Sequence, residues 1–312
     1  MEAIGISMNK GFVTRAGLVA FIATFGILSG RSPTCPSAEL KVETHAAVGT
    51  VRVAAVQFIS RWAKPADNRK GLERLIREAA KNGAKVVVLP EAAIPAYMSH
   101  DIRLTWQLPG HRITPELQGV SPESIAETVP GISTRVFGEL AKELGIYLTV
   151  PLVEVVNESK QFFNTLVLLG PDGKIVLHYR KLHPWPWAER GWASPGDRGL
   201  QVLDTPYGRL GLLICYDINF EPRALREKRV DHLLYAIAWV EEPGSTWFDK
   251  SLPEIARNAD IDIVGANWSI PDQPGWHGYG QSEIISRTGN VLARAKNNLA
   301  NEILYADLPI RR

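Results

Sequence analysis

Residues 209–222 have the sequence Arg209-Leu-Gly-Leu-Leu-Ile-Cys215-Tyr-Asp217-Ile-Asn-Phe-Glu-Pro222. Its apolar run is too short for a helix, ends in a thiol, and is followed at once by polar residues and a proline. This pattern predicts a buried strand that delivers Cys215 to a sharp turn at the start of a helix. Because a helix N-terminus stabilises negative charge, we expect this position to favour the thiolate of Cys215.

The cysteine content limits the chemistry that Cys215 can take part in. The chain has two cysteines, and the other one, Cys35, precedes the predicted folded domain. A disulfide framework or a zinc site built from cysteines is therefore nearly excluded. Two interpretations of Cys215 stay open. It is either a small buried apolar side chain, as most free cysteines are, or a catalytic nucleophile.

The composition is typical of a globular protein with an ample core. The chain has 312 residues, of which 45% are hydrophobic and 22% charged, and its net charge is +2. Because 35 basic side chains nearly balance 33 acidic ones, no nucleic-acid partner is indicated. The histidines show no spacing that is typical of metal ligands, so we expect neither a metal ion nor another cofactor.

The first 49 residues differ in character from the rest of the chain. Two basic residues precede an apolar run at 16–29, and a polar stretch rich in small residues follows at 31–38. This order is typical of an export signal and predicts a periplasmic or extracellular protein. The run is short for a stable membrane span, so contact with a membrane is expected only if the segment stays uncleaved. We assign residues 1–49 to this leader and residues 50–312 to one folded domain.

From residue 50 onward, short strand-like runs alternate with amphipathic helical stretches. The segment Lys85–Leu89 is largely apolar, as in a strand that is covered on both faces. Gly170-Pro-Asp-Gly173 separates two further strand-like runs and predicts a hairpin turn. Strands mixed with helices predict an α/β layered sandwich. The predicted strands are 51–58, 85–89, 146–150, 163–169, 174–179, 210–214, 232–237, 263–266 and 302–307, and the predicted helices are 67–82, 131–144 and 248–259.

Two more polar residues follow predicted strands. Glu91 comes directly after the strand Val86-Val-Val-Leu-Pro90, and Lys181 follows another. Open α/β sheets place ligands at the carboxyl ends of their strands, so we expect Glu91, Lys181 and Cys215 to meet there. A desolvated carboxylate has a raised pKa and can take the proton of a thiol. Lys181 and the backbone N–H of Tyr216 are candidates for holding an oxyanion, although each residue taken singly has an ordinary structural explanation.

Three motifs, in this order along the chain, resemble the signature blocks of the nitrilase superfamily of carbon–nitrogen hydrolases. They are Leu89-Pro-Glu91, Tyr179-Arg-Lys181-Leu-His183 and Leu213-Ile-Cys215-Tyr-Asp217. The resemblance implies a four-layer αββα sandwich, a catalytic triad of Glu91, Lys181 and Cys215, and assembly into a homo-oligomer. It extends over most of the predicted domain, and its supporting matches are Pro130-Gly131, Phe163-Asn164-Thr165, Pro195-Gly196-Asp197 and Ser286-Arg-Thr-Gly289.

The resemblance also implies further residues of the site. A second glutamate of the family, which positions the substrate and the lysine, corresponds to Glu189 in Trp187-Ala-Glu189-Arg190. Trp187 and Trp239 lie close to the motifs and are predicted to line an apolar substrate pocket. Packing in the core or on the surface is the alternative explanation for both tryptophans.

The segment after the cysteine departs from the pattern of many family members. They carry Phe-Pro-Glu there, whereas this chain has Phe220-Glu-Pro222. The pattern Cys-Tyr-Asp-Ile-x-Phe and the downstream Ala238-Trp239 are similar to the branch that contains pantetheinases and biotinidase, which are also exported. Those proteins carry a further domain that has no counterpart in this sequence.

Together, the site residues and the resemblance predict a hydrolase of linear, non-peptide amides. It would release ammonia or an amine and a carboxylic acid through a thioester on Cys215. Tyrosine after the cysteine is more typical of amidases than of nitrilases, so an amide is favoured over a nitrile as substrate. Two alternatives stay open, namely a protease-type hydrolase with His183 or His232 as base and a catalytically silent module that binds small molecules.

Overall fold

The computed structural model describes residues 49–97, 121–186, 189, 191–239, 246–269 and 280–311. Residues 1–48 of the predicted leader lie outside the described residues, so the leader and the expected export stay predictions. Within the described ranges, no helix is both long and apolar enough to cross a membrane. Assembly into a homo-oligomer also stays a prediction.

The described residues form twelve strands and five α-helices. The strands are β1 Thr50–Ile59, β2 Val86–Val88, β3 Tyr147–Val156, β4 Gln161–Leu169, β5 Ile175–Arg180, β6 Val202–Thr205, β7 Gly208–Ile214, β8 His232–Ile237, β9 Asp262–Ser269, β10 Glu283–Ile285, β11 Val291–Arg294 and β12 Glu302–Pro309. The helices are α1 Pro65–Lys81, α2 Pro122–Ile125, α3 Ile132–Leu144, α4 Pro222–Glu227 and α5 Leu252–Ala259. A 3-10 turn at Cys215–Asn219 follows β7, and a π-helical turn at Trp247–Ser251 leads into α5.

The strands form two sheets that are joined through β1 and β9. The first sheet has the order β5-β4-β3-β2-β1-β12, and the second has the order β6-β7-β8-β9-β10-β11. β1 pairs in parallel with β9 through Phe58–Trp268 and Ile59–Ser269, which joins the sheets. Along this path β2, β5 and β7 all run in the same direction. Their carboxyl ends therefore open on the same side of the molecule.

Side chains along β1 alternate between two cores. Val51, Val53 and Ala55 belong to the core between the sheets, whereas Ala54 and Val56 belong to the core beneath α1 and α3. Successive residues of a strand point to opposite faces, so a strand that is apolar throughout serves both cores. Burying a side chain of the size of valine contributes about 1.5–3 kcal/mol to folding.

Helices cover the outer face of each sheet. α1 packs Leu72 and Ile76 against the first sheet, and the helix predicted at 67–82 is confirmed. α4 and α5 add Leu225, Leu252 and Ala256 to the core of the second sheet. The sheets themselves face each other, with β4 in contact with β7 and β2 in contact with β8. The predicted four-layer αββα sandwich is therefore confirmed.

Local signals placed several elements correctly. The helix predicted at 131–144 begins one residue later, because Gly131 is the residue that precedes its first turn. α3 ends at Gly145, whose φ of +64° is a left-handed conformation that glycine adopts without strain. Gly170 and Gly173 form the predicted hairpin turn between β4 and β5, closed by the bond from the Gly170 N–H to the carbonyl oxygen of Lys174.

Gly196 packs against the backbone that carries Lys181. The Gly196 N–H donates to the Lys181 carbonyl oxygen at 2.8 Å, and a Cβ at position 196 would lie 2.1 Å from the carbonyl oxygen of Arg180. The next residue, Asp197, accepts two hydrogen bonds from Nη1 of Arg180, at 2.9 and 2.8 Å. Pro195-Gly196-Asp197 therefore fixes the end of β5, directly before Lys181.

Replacing Gly196 with alanine is expected to destabilise the protein. The added methyl group overlaps backbone atoms, and overpacking of this kind costs about 1–3 kcal/mol. Thermal unfolding should show a lower Tm for Gly196→Ala, by about 2–4 °C for each kcal/mol. Gly49→Ala is the control, because its Cβ would make an ordinary contact with Ile310 at 3.4 Å. Equal Tm values for the two variants would contradict the proposed close fit.

Candidate active site

Three strands from the two sheets deliver side chains to one site. Glu91 follows β2, Lys181 follows β5 and Cys215 follows β7. The exposed fractions of these residues are only 2%, 1% and 8%. The structure therefore brings together the three residues that the sequence motifs point to, and it buries them.

The ammonium group of Lys181 lies between two carboxylates. Its Nζ donates to Oε1 of Glu91 at 2.7 Å and to Oε1 of Glu189 at 2.8 Å. Burial lowers the pKa of Lys181, but the negative charges of Glu189 and Glu91 outweigh this effect and raise the pKa above its ordinary value. Lys181 is therefore a fixed cation, and the expected contact between Glu189 and the lysine is present.

Glu91 is held through one of its two carboxylate oxygens. Oε1 accepts hydrogen bonds from Lys181 and from Nδ2 of Asn164, the latter at 2.7 Å, whereas Oε2 is buried with no hydrogen-bond partner among the described residues. Burial raises the pKa of Glu91, Lys181 lowers it and Glu189 raises it again, so that it reaches about 7. A carboxylate with this pKa is suited to accept and return a proton near neutral pH.

Cys215 sits in a sharp turn. Its φ is +41°, in a region that residues with a Cβ adopt at a cost, and its carbonyl oxygen accepts a hydrogen bond from the Tyr235 hydroxyl at 2.8 Å. The predicted turn is confirmed, but the helix expected to start at Cys215 is only the short 3-10 turn. α4 begins later, at Pro222.

The expectation that this position favours the thiolate is wrong. Burial raises the pKa of the Cys215 thiol well above its ordinary value, and the charge of Glu91 raises it further. Lys181 and a backbone hydrogen bond from Ala238 act in the opposite direction without reversing the shift. One short 3-10 turn provides little of the field that a long helix has at its N-terminus. The thiol therefore needs a base to lose its proton.

Asp217 links the cysteine motif to the lysine motif. Its Oδ2 accepts a hydrogen bond from the Tyr179 hydroxyl at 2.6 Å, and its Oδ1 accepts one from the His183 N–H at 2.8 Å. Because Tyr179 precedes Lys181 and His183 follows it, these bonds tie both flanks of the lysine to the turn after Cys215. Burial raises the pKa of Asp217 to about 6.

A pocket that is partly open to solvent leads to the Cys215 thiol. Trp239 lines this pocket, as predicted, and its ring stacks on Trp247 with 4.1 Å between the centroids. Trp187 lies outside the described residues, so its role stays a prediction. Tyr216 also lines the pocket, while the oxyanion role of its N–H stays a prediction. The lining residues are Tyr97, Trp185, Cys215, Tyr216, Ala238 and Trp239.

The structure adds two residues to the site, Asn164 and Tyr97. Nδ2 of Asn164 donates to Oε1 of Glu91 at 2.7 Å and to Oε1 of Glu189 at 2.8 Å. The backbone carbonyl oxygen of Asn164 accepts a hydrogen bond from the backbone N–H of Lys181. The Tyr97 hydroxyl donates to Oε1 of Glu189 at 3.0 Å. The sequence signal that points to Asn164 is the supporting match to the family at Phe163-Asn164-Thr165. No motif marks Tyr97.

The two histidines considered as alternative bases are placed differently. His232, the first residue of β8, pairs with Leu210 of β7. It therefore lies at the opposite end of these strands from Cys215, which follows β7. At a rise of about 3.3 Å per strand residue, this separates His232 from the thiol by more than about 13 Å. Nε2 of His183 lies 3.1 Å from Oε1 of Glu221, and its ring is turned toward that carboxylate. The position of His232 therefore gives no support to a base role, whereas the charge of Glu91 acts on the Cys215 thiol.

The chain belongs to the carbon–nitrogen hydrolase family. Residues 52–312 match the sequence profile of this family, described as carbon–nitrogen hydrolase, which covers nearly all of the predicted domain. The resemblance to the nitrilase superfamily inferred from the three motifs is thereby confirmed. The suggested nearness to pantetheinases and biotinidase stays a prediction.

Known relatives are similar over most of their length. Omega-amidase NIT2 of Homo sapiens is 30% identical over 271 residues, which cover 84% of this chain and 89% of the relative. Omega-amidase NIT2-A of Xenopus laevis is 30% identical over 281 residues, which cover 84% of this chain and 94% of the relative.

Solved structures share the fold. The crystal structure of an amidase from Nesterenkonia sp. matches with a TM-score of 0.68 and 22% identity, over 84% of this chain and 91% of that chain. Nit3 of Saccharomyces cerevisiae, a member of the nitrilase superfamily, matches with a TM-score of 0.67 and 24% identity, over 84% and 90%. These likenesses support the same αββα architecture.

Removing the Asn164 side chain is expected to shift the pH dependence of the site. A donor to an ionised carboxylate lowers the pKa of that carboxylate, so Asn164→Ala should raise the pKa of Glu91. A hydrogen bond to a charged group contributes about 1.5–3 kcal/mol, so activity at neutral pH should fall by about tenfold or more. The pH profile of Cys215 alkylation by iodoacetamide measures the shift. Asn290→Ala, which changes an exposed turn, is the control, and superimposable profiles for the two variants would refute the expectation.

Proposed function

We propose that this protein hydrolyses small linear carboxamides through a thioester on Cys215. The observation that carries the proposal is the buried ammonium group of Lys181, which Glu91 and Glu189 hold and whose charge acts on the Cys215 thiol, to which a pocket opens. A base, a cation and a nucleophile thus share one site with little water. Acyl transfer needs this combination.

In the first half of the reaction, Glu91 takes the proton of the Cys215 thiol and the sulfur attacks the carbonyl carbon of the amide. The carbonyl oxygen becomes negative, and we assign its stabilisation to Nζ of Lys181 and to the N–H of Tyr216. Glu91 then gives its proton to the nitrogen, the carbon–nitrogen bond breaks, and ammonia or an amine leaves. The acyl group stays on Cys215 as a thioester.

In the second half, Glu91 takes a proton from a water molecule, and the resulting hydroxide attacks the thioester. The carbon–sulfur bond breaks, the carboxylic acid departs, and the sulfur recovers its proton from Glu91. Glu189 and Asn164 position the reacting groups, because Glu189 accepts a hydrogen bond from Lys181 and Asn164 donates to both Glu91 and Glu189. The cycle requires neither a metal nor an organic cofactor.

The relatives support an amide as the substrate. Two proteins that are 30% identical to this chain are named omega-amidases, and both matches cover 84% of the chain. Tyr216, directly after the cysteine, points in the same direction, because tyrosine there is more typical of amidases than of nitrilases. A nitrile is therefore the less favoured substrate.

Activity is expected to fall as the pH drops through about 7. Burial is the main cause that raises the pKa of Glu91 from 4.5 to about 7, and the protonated carboxyl cannot take the proton of Cys215. The logarithm of kcat/KM should therefore rise with pH up to about 7 and then level off. A midpoint near 4.5, the ordinary pKa of glutamate, would contradict the assignment of this titration to Glu91.

Asp217 provides the control for this pH profile, since burial raises its pKa to about 6. Asp217→Asn removes that titration and keeps a side chain of the same shape. The midpoint of the limb should stay where it is in wild type. If the acidic limb were missing from the pH profile of Asp217→Asn, the titration would belong to Asp217 instead of Glu91.

A covalent adduct is expected on Cys215 during turnover. Intact-protein mass spectrometry of wild type with a panel of primary amides should show the mass of the acyl group, accompanied by release of ammonia. Cys215→Ala should show no adduct, and Glu91→Gln should lose about a hundredfold or more in turnover, as for loss of a general base. Cys35→Ala is the matched control, because it changes the other cysteine and should retain activity.

The same experiment separates hydrolysis from simple binding. A catalytically silent module would bind amides equally well as wild type or Cys215→Ala and release no ammonia with any member of the panel. That result, together with a Cys215 that iodoacetamide leaves unmodified, would overturn the proposed function.

A further inference from the structure

The walls of the pocket around Cys215 are aromatic. Besides the cysteine and Ala238, the described lining consists of four rings, those of Tyr97, Trp185, Tyr216 and Trp239. Such walls stabilise an apolar ligand by removing its surface from water. None of these rings carries a charge that could pair with an anion, which makes burial of an unpaired carboxylate there costly.

The charges beneath the pocket oppose an anionic ligand. The buried carboxyl groups of Glu91, Glu189 and Asp217 surround a single ammonium group, that of Lys181. Its Nζ lies 2.7 Å from Oε1 of Glu91 and 2.8 Å from Oε1 of Glu189. Lys181 is thus already paired. Among the described residues that line the pocket, none carries a positive charge. A carboxylate on the substrate would therefore meet an excess of acidic groups.

The aromatic walls are fixed in place. Trp239 stacks on Trp247 with an angle of 8° between the rings, and its backbone N–H donates to Oδ1 of Asn267 at 3.0 Å. The backbone N–H of Trp185 donates to Oε2 of Glu189 at 2.7 Å, which ties the main chain of this wall to a carboxylate that holds Lys181. Walls that are already ordered bind an apolar group without an additional ordering cost.

We infer that the preferred substrates are amides whose acyl group is apolar and uncharged. The aliphatic or aryl chain lies between Trp185 and Trp239, with its carbonyl carbon at Cys215. An amide of the same length that ends in a carboxylate is a poor substrate. This inference rests on the proposed function, because it assigns the acyl chain to the pocket that opens on the nucleophile.

The test compares two amides that differ only at the far end of the chain. Hexanamide ends in a methyl group, and adipamate, the monoamide of adipic acid, ends in a carboxylate at the same chain length. We expect kcat/KM of wild type to favour hexanamide by about tenfold or more, since none of the described lining residues carries a charge that could pair with the carboxylate. Equal values, or a preference for adipamate, would overturn the inference.

Variants of the wall locate the selectivity. Trp239→Ser should lower kcat/KM for hexanamide by about tenfold and change that for adipamate much less, because only the apolar chain loses contact area. Trp192→Phe is the control, since this tryptophan packs near Ile125 and Val153 and does not line the pocket. A ratio that is the same in wild type and Trp239→Ser would contradict the assigned position of the chain.

Binding measurements keep this inference separate from the proposed function. Calorimetric titration of Cys215→Ala with the same two amides reports selectivity without any chemistry. If wild type turned over other amides but Cys215→Ala bound adipamate more tightly than hexanamide, only the inference about the acyl chain would be refuted. Absence of turnover and adduct with every amide refutes the proposed function, whereas a binding preference for hexanamide would still support the apolar pocket.

Discussion

The buried ammonium group of Lys181 is the constraint on which the rest of the site depends. A charge with an exposed fraction of 1% is tolerated only when it is paired, because the desolvation penalty amounts to several kcal/mol for each ion. Glu91 and Glu189 provide the pairing, and Asn164 fixes the geometry by donating to both carboxylates. The close fit of Gly196 then holds the backbone at Lys181 in position.

The pairing of Lys181 with Glu91 and Glu189 also influences the pKa values of the site. Two carboxyl groups share one cation in a site without bulk water, so Glu91 reaches a pKa of about 7, while burial keeps the Cys215 thiol protonated. The resting site therefore combines a protonated thiol with a carboxyl group that can take up a proton near neutral pH. In the proposed reaction, thiolate formation is coupled to the attack on the substrate, because the attack relieves the charge that burial disfavours.

The site exists only when the two sheets are packed together. Glu91 and Lys181 follow strands of the first sheet, and Cys215 follows a strand of the second. Hydrogen bonds join the two sheets near these residues. The Tyr179 hydroxyl on β5 donates to Asp217 after β7, and the Glu91 N–H donates to the carbonyl oxygen of Ile237 at the end of β8. The inner core between the sheets thus stabilises the catalytic geometry as well as the fold.

The order of the elements and the residues at the ends of the strands follow from local patterns in the chain. Apolar periodicity, the glycines at 131, 145, 170 and 173, and the three motifs all act over short stretches, and local sterics decide their outcome. β6 gave no such signal, because its four residues are half exposed and too few to show a period. Tertiary structure alone decided the partners of Asn164 and Tyr97 and the direction of the pKa shift at Cys215. Burial and distance between residues far apart in the chain fix these properties, and no local pattern encodes them.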